Sequence, residues 1–289
     1  MSIVVIDNQA VHYEVFGRGR PVLFLHGWLG SWRYWFPTME VVAEDFRTYS
    51  FDFWGFGDSR RKLTQESIQN YSDQVIRFLD ALGIDQVQLV GHSMGGMVAL
   101  KTAITYPDRI QRVATVGAPI DGNSLSWLLK LTDQPLFANA FARMPWVRRR
   151  LFRFFLGETS DQAIGEMIDD SVKSSAVSLR QAVSSMWRTD LRPDLSRLKV
   201  PALIVHGGRD DVVRPNQADL FDNIPLAKVV RMPRSRHFPF LDEATEFNDT
   251  LLHFLKAQSS TNNTGGTGGT GGTGGAMPKL ITREYQPVP

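Results

Sequence analysis

The chain has 289 residues and a formal net charge of +2, so its overall charge gives no reason to expect nucleic-acid binding. Hydrophobic residues make up 43% and charged residues 21%, which is typical of a globular protein with an ordinary core. The absence of cysteine excludes disulfides, a thiolate nucleophile and cysteine metal sites. The first strand-like run, Ile3 to Ile6, lacks the basic lead-in of a signal peptide, and no apolar run approaches the roughly 18 residues of a membrane span. We therefore expect a soluble cytoplasmic enzyme, with attachment to a membrane surface as the alternative.

Apolar runs and helical patterns alternate along most of the chain. The predicted strands are Val11–Phe16, Pro21–Leu25, Val87–Val90, Ile110–Val116, Ala202–Val205 and Ala227–Met232. The predicted helices are Ile68–Leu82, Met94–Tyr106 and Ala244–Leu255. Because continuous apolar strands suit a sheet covered on both faces, the pattern predicts an α/β fold with a mostly parallel central sheet flanked by helices.

Residues 120–198 interrupt the alternation, because they show helical and loop patterns without a convincing strand. So much helix between two strands of one sheet predicts an inserted helical cap. The core then comprises residues 1–119 and 199–258.

The C-terminal segment has a different composition. Thr264 to Gly275 is TGG repeated four times, which predicts flexible coil rather than a packed element. We interpret residues 259–276 as an engineered linker and residues 277–289 as a fused peptide, with a natural low-complexity tail as the alternative. Residues 278–289 would then represent a protein partner.

The run Gly91-His92-Ser93-Met94-Gly95 lies between a predicted strand and a predicted helix. Glycines beside a serine allow a tight strand-to-helix turn, which exposes the hydroxyl above the sheet. The helix N-terminus favours negative charge developing there. Ser93 is therefore the predicted nucleophile, and the alternative is a glycine turn that serves packing alone.

A serine nucleophile needs a base, and the chain has six histidines. His12 and His253 lie in predicted elements, His26 and His92 flank glycine turns, and His206 ends a strand. His237 lies in a loop that follows a strand, where open sheets place their active sites, and it is the predicted base.

Asp210 follows the strand Ala202–Val205 and is the predicted acid that orients His237, with the adjacent Asp211 as the alternative. The backbone N–H groups of Trp28 and Met94 are the predicted oxyanion donors. No metal-ligand spacing or cofactor fingerprint is present, so we expect a mechanism without metal or cofactor.

Five segments occur in a characteristic order: HGWLGSW, DFWGFGDS, GHSMGG, VPALIVHGGRDDVV and RHFPFLDE. Across residues 1–258 the chain resembles the α/β-hydrolase superfamily, most closely its capped esterases, meta-cleavage-product hydrolases and non-haem haloperoxidase-like enzymes. The resemblance implies the same roles for Ser93, Trp28 with Met94, Asp210 and His237. Dehalogenases and epoxide hydrolases of this fold carry aspartate at the nucleophile position, so Ser93 argues against both.

The predicted cap contains a basic and aromatic stretch, because no acidic residue lies between Asp133 and Glu158. Its arginines are Arg143, Arg148, Arg149, Arg150 and Arg153, and its aromatic residues are Phe137, Phe141, Trp146, Phe152, Phe154 and Phe155. We favour a cap that buries the aromatic residues over the active site. The alternative is contact with an anionic membrane surface or an acidic partner.

Two functions fit these patterns. The first is a serine esterase-like hydrolase with an apolar pocket for a small hydrophobic acyl substrate, lined by Trp28, Trp32, Trp127 and Phe137. The second is a hydrolase-fold binding or assembly factor that recognises the partner represented by the C-terminal peptide. No nucleic-acid-binding module is present.

Overall fold

The computed structural model describes residues 2–59, 66–144, 146–147, 149–150, 153 and 161–257. The contacts place Met1–Lys256 in one compact unit. The predicted linker (259–276) and fused peptide (277–289) lie outside the described residues and stay predictions.

Within the described residues, eight strands form one sheet. They are β1 (Ser2–Ile6), β2 (Gln9–Gly17), β3 (Pro21–Leu25), β4 (Arg47–Phe51), β5 (Val87–His92), β6 (Ile110–Val116), β7 (Ala202–Gly207) and β8 (Ala227–Met232). Their order in the sheet is β1-β2-β4-β3-β5-β6-β7-β8. The β1–β2 and β2–β4 pairs are antiparallel, and the other five pairs are parallel. The prediction of a mostly parallel sheet is therefore confirmed.

The strand-like run Ile3–Ile6 lies in β1, so β4 is the one strand of the sheet that the apolar patterns do not predict. Its polar residues Thr48 and Ser50 are nevertheless fully buried. The Ser50 hydroxyl donates to the Phe24 carbonyl oxygen at 3.0 Å, and the Thr48 hydroxyl donates to the Phe16 carbonyl oxygen at 3.4 Å. Because their hydrogen bonds are made to neighbouring strands, these polar residues are tolerated in the core although they break the apolar pattern.

The α-helices whose bounds are described are α1 (Phe36–Val42), α2 (Ile68–Ala81), α3 (Met94–Thr105), α4 (Trp127–Leu131), α5 (Pro135–Arg143), α6 (Asp161–Val172), α7 (Ala176–Arg188), α8 (Pro239–Asp242) and α9 (Ala244–Lys256). Short 3₁₀ segments span Trp32–Trp35, Pro107–Arg109, Gly122–Ser124, Arg192–Arg197 and Pro215–Phe221. The three predicted helices agree with α2, α3 and α9 to within a residue at each end. No helix among the described residues has the length and apolar character needed to cross a membrane.

The predicted cap lies between two strands that are neighbours in the sheet, because β6 pairs directly with β7. In the described part of residues 120–198, the secondary structure is helical apart from isolated bridges at Asp121, Leu125 and Asp190. Helices α4 and α5 both pack against α7. The exact boundaries of the cap stay a prediction.

Parallel pairing brings the carboxyl ends of β3, β5, β6, β7 and β8 to the same edge of the sheet. The loops that leave these strands carry Trp28, Ser93, Asp210 and His237. Residues from four distant parts of the sequence therefore meet at one edge, which is where open α/β sheets bind their ligands.

Candidate active site

Ser93 lies at a strained turn between β5 and α3. Its backbone has φ 52° and ψ −117°, a combination that L-residues rarely adopt. A Cβ atom at Gly91 would lie 2.2 Å from the Gly95 carbonyl oxygen, and one at Gly95 would lie 2.3 Å from the Leu25 carbonyl oxygen. Only glycine fits at these two positions, so the local sequence explains how the turn passes so close to β3.

His237 and Asp210 form a buried pair at the ends of β8 and β7. His237 Nδ1 lies 2.8 Å from Asp210 Oδ2, and the two residues are 4% and 6% exposed. With Nδ1 protonated and donating to the carboxylate, Nε2 is left as the basic atom of the ring. The structure therefore brings together two residues that are 27 positions apart in the chain.

Asp210 is held by several donors besides His237. Backbone N–H groups of Val212 and Val213 donate to Oδ1 at 2.8 and 2.9 Å. His206 Nε2 lies 3.3 Å from Oδ2. Burial disfavours the charged carboxylate, but the charge of His237 and hydrogen bonds from both histidines outweigh that effect and hold the pKa of Asp210 well below its ordinary value.

The neighbouring Asp211 has a different environment. Its side chain is 48% exposed, and its Oδ2 accepts a hydrogen bond from the Arg236 guanidinium at 2.8 Å. Of the two aspartates that the sequence left open, it is Asp210 that lies beside His237.

A hydrogen-bonded chain connects three of the site's loops, and the sequence patterns do not predict it. The Gly27 N–H donates to the Tyr34 hydroxyl, which lies 3.2 Å from His92 Nδ1. On its other side, His92 Nε2 lies 2.9 Å from the His237 carbonyl oxygen. A neutral His92 that donates through Nε2 and accepts the Tyr34 O–H at Nδ1 satisfies both contacts. Burial, followed by repulsion from His237, lowers the pKa of His92 well below its ordinary value, which keeps the ring neutral.

Ser93 and His237 share an apolar cavity of about 40 Å³. Its lining residues among those described are Trp28, Leu29, His92, Ser93, Leu125, Leu129, Met186, Val212, His237 and Phe238. Leu125, Leu129 and Met186 come from the predicted cap, and the other lining residues come from the sheet edge. Apart from the two histidines, the lining carries no ionisable side chain, so the space suits a neutral, apolar group.

Three pocket residues predicted from composition do not line this cavity. Trp32 is buried elsewhere, with its ring 6.0 Å from that of His12 and 6.1 Å from that of Phe36. Trp127 is 72% exposed and Phe137 is 52% exposed, on the outer side of the cap helices. The prediction failed because composition does not say which side of a short helix faces inward.

The predicted oxyanion donors flank the Ser93 turn. Trp28 follows β3, and its indole N–H donates to the Leu179 carbonyl oxygen at 3.0 Å, which fixes this loop to α7. Met94 is the first residue of α3 and is fully buried. Both positions are therefore held by contacts with the surrounding structure, and their role in binding an oxyanion stays a prediction.

One group of described residues places possible metal-ligating atoms within 4.8 Å of one another, namely His12, Asp52 and Asp58. Asp52 already accepts hydrogen bonds from the N–H groups of Trp32 and Asp58 at 2.8 Å and lies 3.3 Å from His12 Nδ1. Asp58 pairs with the cationic groups of Arg33 and Lys173. Because protein cations already neutralise these carboxylates, we assign no metal ion to them.

The chain is similar to known proteins over most of its length. A family model described as alpha/beta hydrolase fold matches residues 20–244. A dihydrolipoyllysine-residue acetyltransferase component of the acetoin cleaving system from Pseudomonas putida is 28% identical over 84% of this chain and 66% of that protein, so the chain spans about two thirds of it. A pimeloyl-[acyl-carrier protein] methyl ester esterase from Nitrosomonas europaea is 26% identical over 82% of this chain and 96% of that protein. A 2-hydroxy-6-oxo-6-phenylhexa-2,4-dienoate hydrolase from Comamonas testosteroni is 28% identical over 87% of this chain and 93% of that protein.

Solved structures agree with the sequence matches. A bromoperoxidase from Bacillus anthracis superposes with a TM-score of 0.79 at 26% identity, covering 89% of this chain and 99% of that one. The sequence and structure comparisons thus point to the same fold.

Proposed function

The chain belongs to the alpha/beta hydrolase fold family, and on that premise we propose that it is a serine hydrolase cleaving a carboxylic ester or related acyl bond of a small hydrophobic substrate. The observation that carries this proposal is the shared cavity of Ser93 and His237, with Asp210 2.8 Å behind the histidine. The proposal assigns the nucleophile to Ser93, the base to His237 and the orienting acid to Asp210.

In the first half-reaction, Ser93 Oγ attacks the carbonyl carbon of the substrate while His237 Nε2 takes the hydroxyl proton. The carbonyl π electrons move to oxygen, and the N–H groups of Trp28 and Met94 stabilise this oxyanion. Asp210 holds the imidazolium in place through Nδ1. The tetrahedral intermediate then expels the alcohol, which receives its proton from His237, and leaves an acyl group on Ser93.

In the second half-reaction, His237 removes a proton from a water molecule that attacks the acyl carbon. The same N–H groups stabilise the second oxyanion. Its collapse breaks the bond to Ser93 Oγ, which recovers its proton from His237. The products are a carboxylic acid and the free enzyme, so one water is consumed for each ester cleaved.

The cavity supports a short, uncharged acyl group as the substrate. A volume of about 40 Å³ exceeds the 10–15 Å³ that holds one water but leaves room for only a few carbon atoms. The walls contributed by Leu125, Leu129 and Met186 are apolar, so a charged acyl chain would lose its hydration without gaining a partner.

The nucleophile is tested with a fluorophosphonate probe, which reacts with an activated serine. We expect the full chain to be labelled, the Ser93→Ala variant to remain unlabelled, and the Ser184→Ala variant to be labelled like the wild type. Ser184 is a half-buried serine on α7 outside the cavity, so it controls for the loss of a hydroxyl. Equal labelling of wild type and Ser93→Ala would refute the proposed nucleophile.

The reaction is tested with p-nitrophenyl esters of increasing acyl length and with a chromogenic vinylogous diketone. We expect the highest kcat/KM for short acyl esters and no turnover of any ester by Ser93→Ala. Turnover of the diketone alone would replace ester cleavage with carbon–carbon bond hydrolysis at the same serine.

A further inference from the structure

The helices of the predicted cap present large apolar side chains outward. Leu136 is 85% exposed, Trp127 is 72%, Trp146 is 66% and Phe137 is 52%. The sequence analysis favoured a cap that buries its aromatic residues over the active site. That prediction is wrong for Phe137 and Trp146. The side chains of Phe141, Phe152, Phe154 and Phe155 lie outside the described part of the structure. Exposed apolar groups grouped in one part of the chain indicate a surface that meets another apolar phase.

Arginines accompany these apolar side chains. Arg149 and Arg150 are exposed and form no ion pair with any residue that the structure describes. Trp146, Arg149 and Arg150 are each helical and exposed. No acidic residue occurs from 134 to 157 to neutralise this positive charge.

We propose that the exposed side chains Trp127, Leu136, Phe137, Trp146, Arg149 and Arg150 together form one surface, the cap surface, and that it binds an anionic lipid bilayer. Indole and phenyl rings favour the boundary between headgroups and acyl chains, and arginines attract the phosphates of anionic lipids. An acidic protein would match the arginines but not the outward Leu136 and Trp127. The combination of the two chemistries therefore favours a lipid surface.

The cap surface and the apolar cavity lie on opposite sides of helix α4, so a bound bilayer would lie close to the proposed active site. Helix α4 is only five residues long, from Trp127 to Leu131. Trp127 lies on its outer side, whereas Leu129 is 4% exposed and lines the apolar cavity beside Ser93. A bilayer against the outer side of α4 would thus lie one helix thickness from the site, and this part of the inference rests on the proposed function.

Binding is measured by flotation of the full chain with vesicles of phosphatidylcholine alone and with 30% phosphatidylglycerol. We expect the protein to float with the anionic vesicles and to be released as salt is raised. Arg149→Glu/Arg150→Glu should lower the partition coefficient at least about tenfold, since each cationic side chain contributes a several-fold attraction to an anionic surface. The matched control Arg18→Glu/Lys228→Glu changes the net charge equally at exposed positions outside the cap and should bind like the wild type.

The apolar half of the surface is tested by tryptophan fluorescence. We expect anionic vesicles to cause a blue shift that is lost in Trp127→Phe/Trp146→Phe, with circular dichroism unchanged. Leu136→Ser should weaken binding, whereas Ile3→Ser, at another exposed apolar residue on β1, should not. Labelling of Ser93 by the fluorophosphonate is measured in every variant, so failure of lipid binding is distinguishable from failure of the proposed hydrolase.

Three results would overturn the proposal. They are the absence of binding to anionic vesicles, equal loss of binding in the charge-matched control, and binding to soluble polyglutamate without a blue shift on vesicles. The last result would assign the surface to an acidic protein.

Discussion

His206 Nε2 lies 3.3 Å from Oδ2 of Asp210, the oxygen that also faces His237 Nδ1. Its other neighbour is the Val213 carbonyl oxygen at 3.2 Å, so Nε2 carries the proton and donates to both acceptors. His206 is 2% exposed and does not line the cavity. It is therefore a positioning residue for the carboxylate.

Removing this donor should weaken catalysis without removing a catalytic group. We expect His206→Phe to lower kcat/KM for a short ester about tenfold, the effect of losing one hydrogen bond to a charged group. His206→Gln keeps a donor and should restore most of the activity. A loss of folded protein in His206→Phe that His206→Gln does not rescue would indicate a structural role only.

The two adjacent aspartates provide a matched pair of variants. Asp210→Asn should reduce kcat by about 10⁴-fold, because an amide cannot hold the imidazole in the required tautomer. Asp211→Asn, which loses only an exposed pair with Arg236, should stay within about twofold of the wild type. Both are measured by ester turnover, with circular dichroism to verify folding. Comparable losses in the two variants would contradict the assignment of the acid.

Because of His12, the free energy of unfolding should fall as the pH becomes alkaline. Burial opposes its charge, but hydrogen bonds to Asp52 and Glu14 outweigh burial and raise the pKa of His12 to about 9. Because the ordinary value is 6.5, the stabilisation is complete below about pH 6.5 and is lost as pH rises through 9. We expect wild type to exceed His12→Gln in free energy of unfolding by about 2 kcal/mol at pH 6, and the gap to close by pH 10.

Urea unfolding at pH 6, 8 and 10 measures this difference. His253→Gln, at an exposed position on α9, is the matched control for replacing a histidine with glutamine. If the difference in free energy of unfolding between wild type and His12→Gln increased with pH, the inference that His12 is protonated in the folded state would be wrong.

Asp170 joins the predicted cap to the core. Its carboxylate is 4% exposed, accepts a hydrogen bond from the Ser31 hydroxyl, and lies 2.7 Å from Arg33 Nη1 and 3.0 Å from Lys173 Nζ. Asp170→Asn should lower the melting temperature by about 5 °C, because it leaves buried donors poorly matched. The control Asp169→Asn alters an exposed neighbouring residue and should change the melting temperature by less than about 1 °C. Equal shifts would exclude a specific contribution of Asp170.

Met186 should limit the length of the acyl group. It is 1% exposed on α7 and forms part of the cavity wall. Met186→Ala removes the thioether end of this wall, so the preferred ester should become longer by about two or three carbons. Met39→Ala, a buried methionine outside the cavity, controls for general destabilisation and should leave the chain-length profile unchanged. An unchanged profile in Met186→Ala would place the acyl group elsewhere.

The sequence by itself determined the order of most strands and helices, because their signals are local. Apolar runs such as Pro21–Leu25 and Ile110–Val116 begin and end as strands at the predicted residues. It also determined that Ser93, Asp210 and His237 each follow a strand, since glycine and proline mark where strands end. Parallel pairing then brings these positions to one edge, so their proximity followed from the predicted fold.

Only the tertiary structure decided features that depend on contacts between distant residues. Strand β4 was missed because Thr48 and Ser50 satisfy their hydroxyl groups on other strands. The series of hydrogen bonds through Tyr34 and His92 joins residues that are 58 positions apart, and no local pattern predicts such a contact. The outward orientation of the Trp127 and Phe137 side chains was also decided by tertiary packing. A short helix has too few residues for its hydrophobic periodicity to show which side is buried.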